Sequence, residues 1–321
     1  MVSAIEVSGL TKTYDGLVAV DGINFNIQAG EAFGFLGPNG AGKTTTIRLL
    51  DGLSKPSAGG ARVLGYDIAS EMVKAKRYIG VVPELSNMYD ELTGIDNLVF
   101  MGQLYGVPSH ERWPRAEELL KTFGLYERKD SRFATYSRGM KRALTIAAAL
   151  VHKPRLLFLD EPTVGLDVAA ARSLRAIIRR FREAGITVFI TTHYLEEADI
   201  LCDRIALLVK GKIVAMDTPA GLKAMAEETP ALEVSFKEPV SGVLEDIKRR
   251  LPDLTVMKVD DRLRIYGGDT DTVVGAVLDC AKEKGTQITS INSLKPSLED
   301  AFVKLTGLSP LVMAAEKGGR Q

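Results

Sequence analysis

Apolar and polar positions along this chain change period several times, and each change marks an expected element. Ala4-Ile5-Glu6-Val7 and Ile23-Asn24-Phe25-Asn26-Ile27 alternate apolar with polar side chains, the pattern of half-buried antiparallel strands. Thr13-Tyr14-Asp15-Gly16 carries a turn signal between them. Ala32-Phe33-Gly34-Phe35-Leu36 is a continuous apolar run and reads as a buried strand, while residues 45–50 read as the first turns of a helix that Gly52 stops. A turn at residues 57–60, a strand over 61–66 and a strand over 77–83 ended by Pro83 follow. From 93 to about 125 the period becomes helical: Ile95, Leu98, Val99 and Met101 share one face, then Ala116, Leu119, Leu120 and Phe123 another. A long amphipathic helix is expected over 141–152. Two more apolar runs, 156–159 and 186–192, read as buried parallel strands flanking a helix over 169–183, and residues 205–216 as a hairpin about Lys210-Gly211.

A helix and a Pro-containing linker over 217–230 close this first pattern. Beyond it, strands and helices alternate on a smaller scale: strand 232–236, helix 243–251, a hairpin across Asp260-Asp261, helix 273–284, strand 287–291 and a short helix over 297–305. That order resembles a small ferredoxin-like or regulatory sandwich suited to binding or dimerisation, with no catalytic constellation in it. The expected layout is a first domain over 1–220, with a helical insertion at about 90–150. A small α+β accessory or regulatory domain over 231–307 and a loose tail over 308–321 complete it.

Composition narrows the class. At 321 residues about two domains are expected, and 45% hydrophobic with 26% charged residues suits a globular protein with a sizeable core. Lys plus Arg balance Asp plus Glu at 41 each, which gives no support to a nucleic-acid-binding body. Cys202 and Cys280 lie far apart in no metal-ligand spacing and read as buried thiols in a reducing compartment. The N-terminus has no signal-peptide core, and no apolar stretch approaches the ~18 residues that span a bilayer. Work at a membrane would need another chain as anchor.

The strongest chemistry lies in Gly37-Pro38-Asn39-Gly40-Ala41-Gly42-Lys43-Thr44, which fits the phosphate-loop pattern G-x-x-x-x-G-K-[ST]. Its glycines let successive backbone N–H groups point at phosphate oxygens, Lys43 offers a mobile charge to the β and γ phosphates, and Thr44 a hydroxyl to magnesium. A strand, a glycine loop and a helix start make an anion site, so the chain is expected to bind a nucleoside triphosphate. Downstream, Leu156-Leu157-Phe158-Leu159-Asp160-Glu161 ends a buried strand in two carboxylates. Asp160 fits the magnesium aspartate that accompanies such a loop, and Glu161, aimed differently, suits orienting or deprotonating a water. His193 ends the next strand and reaches the same crevice. Ser137 is an expected N-cap, with Gly139 allowing close approach of a ligand. Tyr14 is either a surface tyrosine or a ring that stacks on a base; spacing alone leaves both open.

In this order and spacing, GPNGAGKT, YSRGM, LLFLDEP, VGLD and TTHYLEEA make the first ~215 residues resemble the ATP-binding subunit of an ABC transporter. The resemblance implies an α/β P-loop ATPase domain with an antiparallel β subdomain and a helical subdomain, and ATP and Mg2+ as cofactors. By it, Tyr14 is the adenine-stacking aromatic, residues 37–45 the phosphate loop with Thr45 near the α-phosphate, and Ser137 and Gly139 the signature motif. Asp160 is the magnesium aspartate, Glu161 the general base, Asp167 the dimer-contact aspartate, and His193 the γ-phosphate switch. It further implies a second ATP-binding subunit, expected to be another copy of the chain, each ATP lying between one phosphate loop and the other subunit's signature helix.

Three positions, two in the signature and one outside it, depart from the family pattern. Arg138 and Met140 replace a glycine and a glutamine of the signature, and Glu84 stands where a glutamine normally contacts magnesium and water. Glu84 keeps an oxygen acceptor, loses the amide donors and adds negative charge beside Asp160 and Glu161; it is expected to remain a magnesium ligand with altered coupling. The signature variant, residues 292–307 and the added C-terminal domain are similar to exporter subunits of the drug-resistance or sodium-efflux type. The implied partners are separately encoded ABC-2-type permeases, with the chain peripheral on the cytoplasmic face of the membrane. A soluble superfamily ATPase acting on nucleic acid or ribosomes is the alternative, argued against by the missing coiled-coil insertion and the neutral charge. A small-molecule kinase would not need the signature helix or Glu161 next to Asp160.

Overall fold

A computed structural model describes residues 3–86, 88–226, 231–294, 297–308 and Met313. The chain divides into two compact units, one built from Met1–Pro219 and one from Ala220–Pro310. The first opens with strands β1 (Ser3–Tyr14), β2 (Leu17–Gln28) and β3 (Ala32–Leu36) and helix α1 (Lys43–Leu50). Strands β4 (Ala58–Val63) and β5 (Tyr66–Asp67), helix α2 (Met72–Ala75) and strand β6 (Ile79–Val82) follow. Helices α3 (Gly94–Leu104), α4 (Ser109–Thr122) and α5 (Arg138–Ala149) lie between β6 and β7 (Leu156–Asp160). Then come α6 (Val168–Glu183), β8 (Thr187–Thr192), α7 (Leu195–Leu201) and the hairpin of β9 (Arg204–Val209) and β10 (Lys212–Asp217). Helix α8 (Pro219–Ala224) leads into the second unit.

Two sheets build the first unit. One is a four-stranded antiparallel sheet in the order β2-β1-β4-β5. The turn expected at residues 13–16 shrinks to Asp15 and Gly16, whose φ angles of 44° and 86° reverse the chain and leave Thr13 and Tyr14 in β1. The turn expected at 57–60 is absent as well, since β4 already begins at Ala58. Gly59 there has φ +67°, and a Cβ on it would lie 2.0 Å from the Gly9 carbonyl oxygen, so only glycine lets β1 and β4 stay paired.

The second sheet has six strands in the order β10-β9-β3-β8-β7-β6, parallel except at β10. Phe25 of β2 joins the sheets: its ring lies 5.0 Å from Phe35 and 6.3 Å from Phe189, within one buried cluster. Burying each such ring contributes roughly 2–3 kcal/mol. Because the strands run parallel, the segments after β3, β6, β7 and β8 all leave from one edge. That edge is where Glu84, Asp160, Glu161 and His193 were expected to meet. Helix α5 starts at Arg138 rather than 141, because the Ser137 hydroxyl accepts from the Met140 N–H at 3.3 Å, and it ends at Ala149. His152, beyond its end, stacks on Tyr105 at 3.9 Å.

The second unit contains β11 (Ala231–Phe236), α9 (Leu244–Arg250), β12 (Thr255–Val259), β13 (Arg262–Tyr266), α10 (Thr270–Lys284), β14 (Ile288–Leu294) and α11 (Leu298–Thr306). Its antiparallel sheet has the order β12-β13-β11-β14, the split arrangement of a β-α-β-β-α-β ferredoxin-like fold. Alternation divides the sheet's faces. Leu232, Val234, Leu263 and Ile265 join the apolar core with Val273 and Val277 of α10. On the other face Glu233 is bonded by Arg262 at 2.7 Å and Arg264 at 3.1 Å, and Arg264 reaches Glu299 of α11 at 2.9 Å. The linker expected before this unit lies outside the described residues at 227–230, as does the tail expected over 308–321 apart from Leu308 and Met313.

Asp51 caps the C-terminus of α1, accepting the Leu53 N–H at 2.9 Å, and burial pushes its pKa up to about 6. A raised carboxylate pKa means that the folded chain holds this proton more tightly than the unfolded one. Asp51 therefore favours folding in acid and loses that contribution as pH rises through about 6. Asp51→Asn is expected to remove a fall of ~3 kcal/mol in unfolding free energy between about pH 4 and pH 7. Denaturant unfolding of both proteins at the two pH values checks this; parallel pH dependences would refute it.

Candidate functional site

Two glycines of the loop between β3 and α1 leave no room for a side chain. A Cβ on Gly37 would lie 2.1 Å from the Leu208 carbonyl oxygen, and one on Gly42 2.4 Å from that of Ala19. Gly42 also has φ +105° and is the N-cap of α1, where it supplies no side-chain acceptor. The first-turn N–H groups of α1 thus carry no side-chain cap, the arrangement that receives an anion. Helix α1 begins at Lys43, two residues earlier than its apolar pattern suggested.

Lys43 is folded back beneath the loop and buried. Its ammonium donates to the carbonyls of Gly37 at 2.6 Å and Pro38 at 3.2 Å, and lies 3.1 Å from Glu161 Oε1. That last contact is an ion pair off hydrogen-bond alignment, since Glu161 Oε1 accepts no hydrogen bond. The other oxygen, Oε2, faces His193 Nδ1 at 2.9 Å and the His193 backbone N–H at 3.3 Å. Burial opposes ionisation of Glu161, yet the His193 hydrogen bond and the Lys43 charge outweigh it and hold the pKa below the usual glutamate range. Glu161 also has φ 48°, a left-handed conformation that costs a β-carbon residue on the order of 1 kcal/mol or more.

Asp160 has the opposite balance. Burial raises its pKa, and the neighbouring charges of Glu161 and Glu84 add to the rise, against hydrogen bonds from Thr191 and Thr44. Thr191 Oγ1 lies 2.5 Å and Thr44 Oγ1 3.2 Å from the same oxygen, Asp160 Oδ1. Among the described residues no cluster of three acidic, histidine or cysteine side chains forms a ready cage for a metal. The donor set fits magnesium in another way. Magnesium keeps waters and takes phosphate oxygens, needing one or two protein oxygens beside them, and Thr44 and Asp160 supply two within reach of one point.

Lys43, Thr44, Glu161 and His193 open into a cleft of about 810 Å³, whereas Asp160, Gly37 and Pro38 are not in its lining. Tyr14, residues 39–45, Glu84, Glu161 and His193 line it. Tyr14 is 41% exposed, with Lys12 Nζ 4.7 Å above its ring and its hydroxyl 3.3 Å from Ser54 Oγ. Ser137, Gly139 and Asp167 do not line the cleft. Ser137 caps α5, Asp167 caps α6 through the Ala170 N–H at 2.8 Å, and a Cβ on Gly139 would meet Ala170. Arg138, the charged replacement in the signature, joins the lining, and Leu17, Ala19, Val164, Gly165 and Tyr194 do so without having been singled out for it. Sequence reasoning also passed over Arg142, one turn into α5 and buried. Its one signal was a charge among the small and apolar residues of that helix.

The description "ABC transporter" belongs to the family model that matches residues 20–164. The chain is 37% identical over 305 residues to the linearmycin resistance ATP-binding protein LnrL of Bacillus subtilis (strain 168), covering 94% of this chain and 98% of that protein. It is 39% identical over 314 residues to the daunorubicin/doxorubicin resistance ATP-binding protein DrrA of Streptomyces peucetius, covering 95% and 92%. Among solved structures, the dimeric post-hydrolysis state of the ATP-binding cassette MJ0796 bound to ADP and Pi aligns with a TM-score of 0.62 at 26% identity, over 67% of this chain and 98% of that one. Phosphate loop, acidic strand end, histidine and near full-length similarity agree: the chain belongs to the ABC transporter family, as an ATP-binding subunit that hydrolyses ATP.

Proposed function

We propose that the chain is the motor subunit of an exporter of the drug-resistance type, working as a dimer of two copies on separately encoded ABC-2-type permeases at the cytoplasmic face of the membrane. What supports the dimer is that Ser137 and Gly139, matched to the signature motif, stand outside the lining of the cleft that the phosphate loop opens into, with Arg138 between them at its wall. Lys43, Glu161 and His193 share that cleft with loop residues 39–45. In this reading Ser137 and Gly139 serve the nucleotide of a second copy, with Asp167 at the contact between copies. The resistance proteins LnrL and DrrA, similar along nearly their whole length, support an exporter role. No helix among the described residues is long and apolar enough to cross a membrane, so the permeases would supply the path.

In the cleft, Tyr14 stacks on adenine, the loop N–H groups and Thr45 hold the phosphates, and Lys43 exchanges its loop carbonyls for the γ-phosphate. Thr44 and Asp160 hold magnesium, with Glu84 as a further oxygen in the wall; the bound ion supplies charge neutralisation at the phosphates. Glu161 accepts a proton from the attacking water as the new O–P bond forms and the bond to the β-phosphate oxygen breaks. His193 keeps the Glu161 carboxylate aimed and contacts the γ-phosphate. The low pKa of Glu161 keeps it ionised and able to accept that proton at neutral pH.

Glu161→Gln is expected to bind ATP, to lose roughly a hundredfold or more in hydrolysis, and to accumulate as a dimer with ATP. Size-exclusion chromatography and phosphate release check this; a monomer throughout would sink the composite site. Glu84→Gln is expected to shift the magnesium concentration for half-maximal hydrolysis by about tenfold. An unchanged magnesium titration, with unchanged stimulation by the permease, would remove Glu84 from the ligand set.

A further inference from the structure

Arg142 makes a set of bonds that neither the phosphate loop nor the acidic pair explains. Nε donates to the Pro162 carbonyl at 2.9 Å. One terminal nitrogen donates to Pro83 at 2.5 Å and Glu84 at 3.2 Å, the other to Asp160 at 2.7 Å and Glu161 at 3.1 Å. All five N–H donors of the guanidinium are therefore used, each on a backbone carbonyl. These carbonyls lie just where β6 and β7 end their pairing, which runs up to Val82 and Leu159. Beyond that pair the ladder offers no partner, and buried carbonyls left bare cost free energy.

We infer that Arg142 is a positioning residue for hydrolysis: its guanidinium ties the backbone after β6 to the backbone after β7 and so holds Glu161 in the conformation that aims its carboxylate. The inference rests on the reading of Glu161 as the base. Geometry supports the choice of Glu161 as the point of action. Its φ of 48° is strained, its N–H is fixed by the Thr191 carbonyl at 3.0 Å, and Arg142 fixes its own carbonyl and the two beside it. Strain of that kind persists only where the surroundings overdetermine it. Burial pushes the Arg142 pKa down to about 10, with Asp160, Glu197, Glu84 and Glu161 acting to raise it, so the guanidinium stays charged at neutral pH. It is also the side chain through which α5, the helix that Ser137 caps, reaches the acidic strand end.

A lysine at this place keeps the charge but has one nitrogen, which cannot span carbonyls on two strands. The full-length chain carrying Arg142→Lys, with Arg142→Gln as a second variant, is compared with wild type for kcat, ATP affinity, and backbone hydrogen exchange without nucleotide. Expected are a kcat at least tenfold lower, ATP affinity within threefold, and faster exchange at residues 84–86 and 161–164. In a Glu161→Gln background, single-turnover hydrolysis should change less than twofold on adding Arg142→Lys, because the residue acts through Glu161. A kcat within twofold of wild type, a loss carried by ATP affinity, equal losses in both backgrounds, or failure of both variants to fold would each overturn the inference. If Glu161→Gln alone hydrolyses ATP like wild type, the base assignment fails instead, whatever Arg142→Lys does.

Discussion

The Glu161 carboxylate sits between Lys43 on one oxygen and His193 on the other, and the active end of the molecule is arranged around that contact. A buried carboxylate next to a second one cannot remain ionised without compensation. Here compensation comes from two elements, Lys43 from the start of α1 and His193 from the end of β8, while Arg142 from α5 holds the Glu161 backbone carbonyl. Each has to be brought within about 3 Å by a different part of the fold, so the contact tests whether the whole parallel sheet is in register. The Asp160–Thr191 and Leu36–Thr192 pairings set that register.

The same arrangement explains why the two adjacent acids differ. Asp160 points back to the hydroxyls of Thr44 and Thr191, and burial outweighs those hydrogen bonds, so its pKa rises. Glu161, turned by its left-handed backbone, meets charge and its pKa falls. One residue is thereby suited to a cation and the other to a proton. Glu197, on α7, is buried too and takes a hydrogen bond from Thr192 at 2.6 Å, while burial raises its pKa. Burial thus opposes the charged forms of Asp160 and Glu197 at this edge, whereas His193 and Lys43 favour that of Glu161.

The second unit is held by a different balance. One face of its sheet buries aliphatic side chains against α9 and α10, and the other ties α11 down through Glu233, Arg264 and Glu299. An ion network around one buried carboxylate gives little net stability but resists rearrangement, because removing its arginines would strand Glu233.

Much of this was legible in the chain. Buried parallel strands announced themselves as unbroken apolar runs, and the glycine loop, Asp160, Glu161 and His193 each stood at a strand end where topology alone would gather them. Local spacing could do that because each signal fits within a few residues. The turn at 13–16 shortened to Asp15 and Gly16 and the one at 57–60 gave way to strand, since pairing with neighbouring strands overrode the local turn signal where Gly59 could take positive φ. Arg142 was invisible for a similar reason. Its partners are carbonyls, present at every position, and nothing in a sequence tells which of them will be left unpaired. The residue types thus determined what chemistry the chain carries and roughly where. Only the tertiary structure decided which carboxylate is ionised, which backbone is strained and what holds it, because those follow from distances between segments far apart in the chain.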